Sequence, residues 1–199
     1  MATVSADDTK PDTRARILRE GERLFRHYGY SKTTVADIAR ELGMSPANVY
    51  RFFPSKLAIN EALCSQMLDE RVAVALKIAN GPGSAIERIR TILMTIHQMT
   101  VSLLLDEKKV HEMVSVAMEE DWEAIRQHIH RQIEIIAKVV SEGMSAGEIA
   151  LGEPGHVAKC LNQAFMAQIH PQMVVKCIND PDAATAEEML DFILRSLKA

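Results

Sequence analysis

The residues of this chain whose types and spacing suit specific hydrogen bonding lie between Thr33 and Lys56. Thr33 and Thr34 place two hydroxyls where a helical pattern begins, and hydroxyls combined with the free N–H groups of a helix start can hold a phosphate. Ser45-Pro46-Ala47-Asn48 opens a second pattern. Proline suits the first helical position because the N–H it lacks is not needed there. Ser45 can cap that helix or ligate a phosphate. On the same first turn Asn48 can pair bidentately with adenine and Ala47 can touch a thymine methyl. Arg51 can reach either a base or a phosphate.

Other chemistry is thin. His97, His111, His128, His130 and His170 invite a metal reading. However, His128 and His130 are two apart and do not share a helix face, and neither H-x-x-x-H nor H-E-x-x-H occurs, so no metal or other cofactor is expected. Cys64, Cys160 and Cys177 are an odd number without a C-x-x-C pair, which suits a reducing, cytoplasmic setting. Cys160 and Cys177 as a redox pair is the rival reading to buried free thiols. No nucleophile-base-orienter set, phosphate loop or spaced carboxylate pair is visible, so no catalysis is expected.

The elements that must position these residues are helical nearly throughout. Ile17, Leu18, Gly21, Leu24, Phe25 and Tyr28 form one apolar stripe on a first helix that Gly29 stops. Val35, Ile38, Ala39 and Leu42 predict a short second helix ending at Gly43, and Pro46 to Phe53 predicts a third. A long fourth helix runs from Ser55 to about Ala79, where Asn80-Gly81-Pro82-Gly83 breaks the chain. Further helices are predicted near 84–105, 108–118, 121–145, 156–178 (interrupted at Pro171) and 183–197, about nine in all.

The chain of 199 residues is 47% hydrophobic and 25% charged, enough for a core without disulfides or metals. It contains no apolar run of roughly 18 residues that could span a membrane, and from its polar start no secretory leader is expected. The net charge of -4 is unevenly spread. Residues 1–60 hold ten Lys/Arg and seven Asp/Glu, while residues 61–199 hold thirteen and twenty. A basic module on an acidic body fits a polyanion partner.

Residues 34–53 have the spacing of a helix-turn-helix: small Ala39 where two helices touch, Gly43 in the turn, and Ile38, Leu42, Met44, Val49 and Phe52 holding the second helix down. An ordinary αα-hairpin can use the same spacing. The surroundings add Leu24-Phe25, Gly29-Tyr30, Thr33-Thr34, and Tyr50-x-x-Phe53-Pro54-Ser55-Lys56. With these, residues 11–71 closely resemble the DNA-binding domain of the TetR (tetracycline-repressor-like) family of bacterial transcriptional regulators. Asn48 departs from the threonine or serine more common in the family, which bears on the base sequence read.

The resemblance implies an all-α protein with a three-helix DNA-binding head and a helical ligand-binding and dimerisation domain over 84–199. It implies that Tyr50 and Lys56 contact phosphates and that a homodimer binds a palindromic operator of double-stranded DNA, controlled by a small molecule. Met94, His97, Val101, Met113, Met118, Trp122, Ile125, Ile129, Phe165 and Met166 are the candidate cavity lining, since methionine suits adaptable cavities as well as cores. Glu119, Glu120, Asp121 and Glu123 around Trp122 favour a cationic ligand, or form an exposed helix start. Val157, Leu161, Ala164, Gln168, Met189, Phe192, Ile193 and Leu197 are the candidate dimer surface, by resemblance a four-helix bundle. The alternatives are a regulator without an effector and a DNA-tethered helical enzyme.

Overall fold

The computed structural model describes residues 9–105, 112–116 and 122–198. Within them the chain is helical: α1 (Thr9–Tyr28), α2 (Val35–Glu41), α3 (Pro46–Tyr50), α4 (Lys56–Ala79), α5 (Ala85–Leu105), α6 (112–116), α7 (Trp122–Ser145), α8 (Pro154–Ala164), α9 (Met166–Ile169), α10 (Pro171–Cys177) and α11 (Ala186–Arg195). The all-α architecture expected from the periodicity is therefore present. The segment 156–178 is three helices instead of one kinked helix. The chain turns at Phe165, and again at His170, whose extended backbone (ψ 124°) precedes Pro171 as a pre-proline residue must. Among the described residues no helix is long and apolar enough to cross a membrane.

Two compact units divide at Met67 and Leu68, within α4. The first takes the described residues through Met67 together with α6. The second takes the rest of α4, α5, and the chain from Glu123 onward.

In the first unit Ile17, Leu18, Leu24 and Phe25 of α1 are buried with Val35, Ile38 and Ala39 of α2, Val49 of α3, and Ile59 and Leu63 of α4. Gly21 completes the α1 stripe, where a Cβ would lie 3.0 Å from Cγ2 of Ile59 and would push that side chain aside. Tyr28 leaves the stripe. As the last residue of α1 it is 53% exposed, edge-on to His27. Met113 of α6 is fully buried in this same core. Its carbonyl accepts a hydrogen bond from Asn60 Nδ2 at 2.9 Å, and Ser31 donates from its backbone and hydroxyl to Glu112.

The second unit has its own core, built from Ala75 and Ala79 of α4, Ile89, Leu93 and Ile96 of α5, Ile136, Val139 and Val140 of α7, Leu161 of α8, Phe165 and the inner face of α11. An isolated antiparallel bridge joins Ile149 to Lys198, and Ala150 donates to the Leu197 carbonyl, tying the loop after α7 to the chain end.

The structure corrects half of the expected dimer surface. Leu161, Ile193 and Leu197 lie in this core, and Gln168 is buried, donating to the Ala184 carbonyl at 2.9 Å. On α11 the helical period decides the faces: Leu190, Ile193 and Leu194 point inward, which turns Phe192 to solvent at 71% exposure, and Leu197 is buried just past the helix end. Val157 and Met189 are half-buried and Ala164 is exposed.

Candidate nucleic-acid interface

α2 and α3 are only seven and five residues long, below the length at which helices persist alone, so capping and burial must hold them. Thr34 caps α2 through a complete capping box. Its hydroxyl accepts from the Asp37 N–H, while its own N–H and hydroxyl donate to the Asp37 carboxylate at 3.0 and 2.6 Å. The Thr34 hydroxyl, its N–H and then Arg40 hold the Asp37 carboxyl below its ordinary range. At the other end Gly43, with φ 65°, closes α2. The Met44 N–H donates to the Ala39 carbonyl at 2.9 Å and the Gly43 N–H to that of Arg40 at 3.1 Å, which together make a Schellman motif. No atom would meet a Cβ at Gly43, so its requirement is purely conformational.

That turn delivers the chain to Ser45, which caps α3 by accepting from the Asn48 N–H at 3.3 Å, with Pro46 at the first helical position. Of the two roles open to the Ser45 hydroxyl, the structure uses it as the cap. Val49 faces the core with no exposed surface, which leaves Pro46, Ala47, Tyr50 and Arg51 exposed and Asn48 half-buried. Asn48 Nδ2 contacts only Met44 Sδ, at 3.8 Å, a weak acceptor that a base edge can replace.

Beside α3 is a hollow of about 320 Å³ lined by Ser31, Thr33, Thr34, Val35, Tyr50, Pro54, Ser55 and Lys56. Lys56 is positioned by Tyr30. Its ammonium donates to the Tyr30 carbonyl at 2.9 Å and sits 4.2 Å from the centre of the Tyr30 ring, which in turn packs edge-on against Phe25 in the core. One of its three N–H donors is used, so two remain. Thr33 differs from expectation. It is 2% exposed, and its hydroxyl donates to the carbonyls of Gly29 at 2.9 Å and Leu24 at 3.3 Å, so it staples the end of α1 in place of presenting a phosphate ligand.

Three further exposed cations were not singled out from sequence: Arg14, which lies over the Phe53 ring at 4.8 Å, Arg16 and Lys32. Elsewhere on this unit arginines are neutralised, Arg23 by Glu20 and Glu41, Arg26 by Glu22, Arg40 by Asp37. Most of these pairs are local, at i,i+3 or i,i+4 on one helix, and Arg23–Glu41 alone among them joins two helices.

The candidate cavity residues do not all gather. Met113 belongs to the first unit's core, whereas Met94, Phe165 and Met166 pack in or against the second. His97 accompanies the latter group. Its Nδ1 lies 2.6 Å from the Gln168 carbonyl oxygen and its ring is edge-on to Phe165. Val101, Ile125 and Ile129 are half-buried, while Met118 and the Trp122 side chain lie outside the described residues. Among the described residues, no three His, Cys, Asp or Glu side chains gather as a metal site. Burial pushes the Cys64 thiol up to about 11, with Glu61 adding to it, so it stays protonated.

An exposed helical first turn beside a lysine-lined hollow is a surface that can meet base edges and phosphates together. Comparison with known proteins agrees. Residues 17–63 match the description "Bacterial regulatory proteins, tetR family", and residues 85–190 match "Tetracyclin repressor-like, C-terminal domain". A TetR/AcrR-family transcriptional regulator from Thermobifida fusca is 26% identical, with a TM-score of 0.67 over 92% of this chain and 95% of that one. The fold is shared with the Bacillus subtilis regulator FadR, crystallised with stearoyl-CoA (15% identity, TM-score 0.65, covering 92% and 98%). It is also shared with a Saccharomonospora viridis regulator crystallised with choline (20% identity, TM-score 0.63, covering 92% and 94%). The paired domain matches carry the conclusion: this chain belongs to the TetR family of bacterial transcriptional regulators.

Proposed function

We propose that the protein is a cytoplasmic repressor, without enzymatic activity, that binds a palindromic operator as a homodimer and releases it when a small molecule binds the second unit. The observation that carries the DNA-binding part is the exposed first turn of α3 beside the hollow that holds Lys56. In this reading Pro46, Ala47 and Asn48 meet base edges. Thr34, Tyr50 and Lys56 meet phosphates, joined by Arg14, Arg16, Lys32 and Arg51. The Ser45 cap sets the angle of the recognition helix.

One such helix offers few base contacts, so specific affinity calls for two heads about one DNA turn apart. The outward apolar positions Val157, Ala164, Met189 and Phe192 are the surface we assign to the partner. Phe192 has the most to gain from burial. The effector reading draws on the relatives that hold stearoyl-CoA and choline, and on α4, which runs without a break from Lys56 into the second unit. A ligand that prefers a conformation unable to span the operator must weaken DNA binding, and DNA must weaken ligand binding equally.

Three outcomes follow. Asn48→Ala costs roughly 1–3 kcal/mol on the preferred site and relaxes base choice at one position, whereas Lys56→Ala weakens all DNA similarly and flattens the salt dependence by about one phosphate. Titrations on matched and mismatched duplexes read both, and the reverse pattern overturns the assignment. Sedimentation of the wild type gives a dimer at micromolar concentration, and Phe192→Asp shifts it toward monomer with the helical content kept. A wild-type monomer refutes the dimer. Finally, a compound that raises the melting temperature lowers operator affinity when both are measured on one preparation. If affinity is unchanged, the regulatory part fails and the DNA-binding part stands.

A further inference from the structure

The second unit holds a largely buried arginine that no described carboxylate neutralises. Arg71 of α4 is 8% exposed, and it makes no ion pair or hydrogen bond among the described residues. Removing a guanidinium from water is expensive unless a counter-charge accompanies it. The carboxylates on the helices nearby are turned elsewhere. Asp69, two residues away, lies on a different helix face and pairs with Arg131 of α7 at 2.8 Å. Glu70 and Glu134 are exposed, and Glu123 is paired with Arg126. Glu119, Glu120 and Asp121 lie outside the described residues.

Within electrostatic range of Arg71 is a second unsatisfied group. His128 of α7 is 6% exposed and is hydrogen-bonded to the Leu68 backbone, while its Nδ1 has no partner. Burial first, then the charges of Arg71 and Arg131, push its pKa down to about 4, with Asp69 opposing, so at neutral pH the ring is uncharged and Nδ1 carries a lone pair. One turn on, Gln132 is also buried but satisfied, donating to Asn162 Oδ1 at 2.9 Å. A largely buried cation without an ion pair and an unpartnered acceptor thus lie on α4 and α7, whose Val72 and Ile133 pack against the apolar core.

We propose that Arg71 and His128 receive the head group of an anionic, amphipathic effector, a carboxylate or phosphate ester whose charge pairs with the guanidinium and whose hydroxyl, where present, donates to His128 Nδ1. This rests on the effector reading above and names its chemical class. It replaces the cationic preference suggested by the acidic residues around Trp122. The apolar part of the ligand lies along the neighbouring core.

The test uses the full-length protein in a zwitterionic buffer free of other oxyanions, with octanoate, octyl phosphate, octanol and octylamine as probes. Arg71→Met melts above the wild type without any probe, because it removes an unpaired buried charge. Octanoate or octyl phosphate raises the wild-type midpoint, and calorimetric affinity falls roughly tenfold or more in Arg71→Met, the loss of a charge-assisted hydrogen bond. Which of the two anions binds tighter identifies the head group. The proposal is overturned if Arg71→Met melts below the wild type, which would reveal an internal partner. It is also overturned if its anion affinity is unchanged, or if neither anion stabilises the wild type at millimolar concentration. Operator binding measured alongside separates the two readings. Arg71-dependent anion binding that leaves the operator bound keeps the Arg71–His128 site and removes the effector role. Release by octanol or octylamine keeps the effector role and overturns this site.

Discussion

A five-residue helix has no stability of its own, and the surface we assign to DNA is built on a five-residue helix. Everything around α3 answers that constraint. Val49 anchors it from below with no exposed surface, Ser45 and Pro46 start it, and the Schellman turn at Gly43 fixes the direction from which it departs. Ala39, fully buried at the end of α2, keeps the two short helices close. Removing any one of these leaves the side chains intact but frees the backbone that aims them.

The same economy engages several polar groups of the head in internal contacts. Thr33 spends its hydroxyl on carbonyls at the end of α1 and just beyond it, Thr34 shares its own with Asp37, and three arginines are neutralised, Arg26 and Arg40 within their own helices and Arg23 also across to Glu41. What remains outward includes the first turn of α3, Tyr50, Arg51, a lysine braced on an aromatic ring, and the cations Arg14, Arg16 and Lys32. α6 adds a long-range brace. Met113 fills the head's core, and its carbonyl takes the Asn60 amide, although 53 residues separate them. Asn60 Oδ1 is left buried without a partner among the described residues.

Much of this was legible in sequence, for identifiable reasons. The head is built from local signals, and caps, Pro46, Gly43 and the spacing of Ile38, Ala39 and Val49 each act within a few residues. The misplaced residues depend on distant contacts. Met113 reads as a cavity residue because nothing in its neighbourhood announces a return to the first unit. The apolar residues of α11 and the chain just after it are dense enough to support two faces, so Ile193 and Leu197 read as outward although the neighbouring core claims them. Arg71 carries no sequence signal at all. A lone arginine reads as a solvated charge until burial is known.

The central claim is that two copies of α3 read one operator through a two-fold axis. Selection of duplexes from a random pool by the full-length protein tests it directly. The account predicts enrichment of an inverted repeat whose half-site centres are separated by about one helical turn or a multiple of it. Enrichment of a single unrepeated site, or of direct repeats, would contradict it.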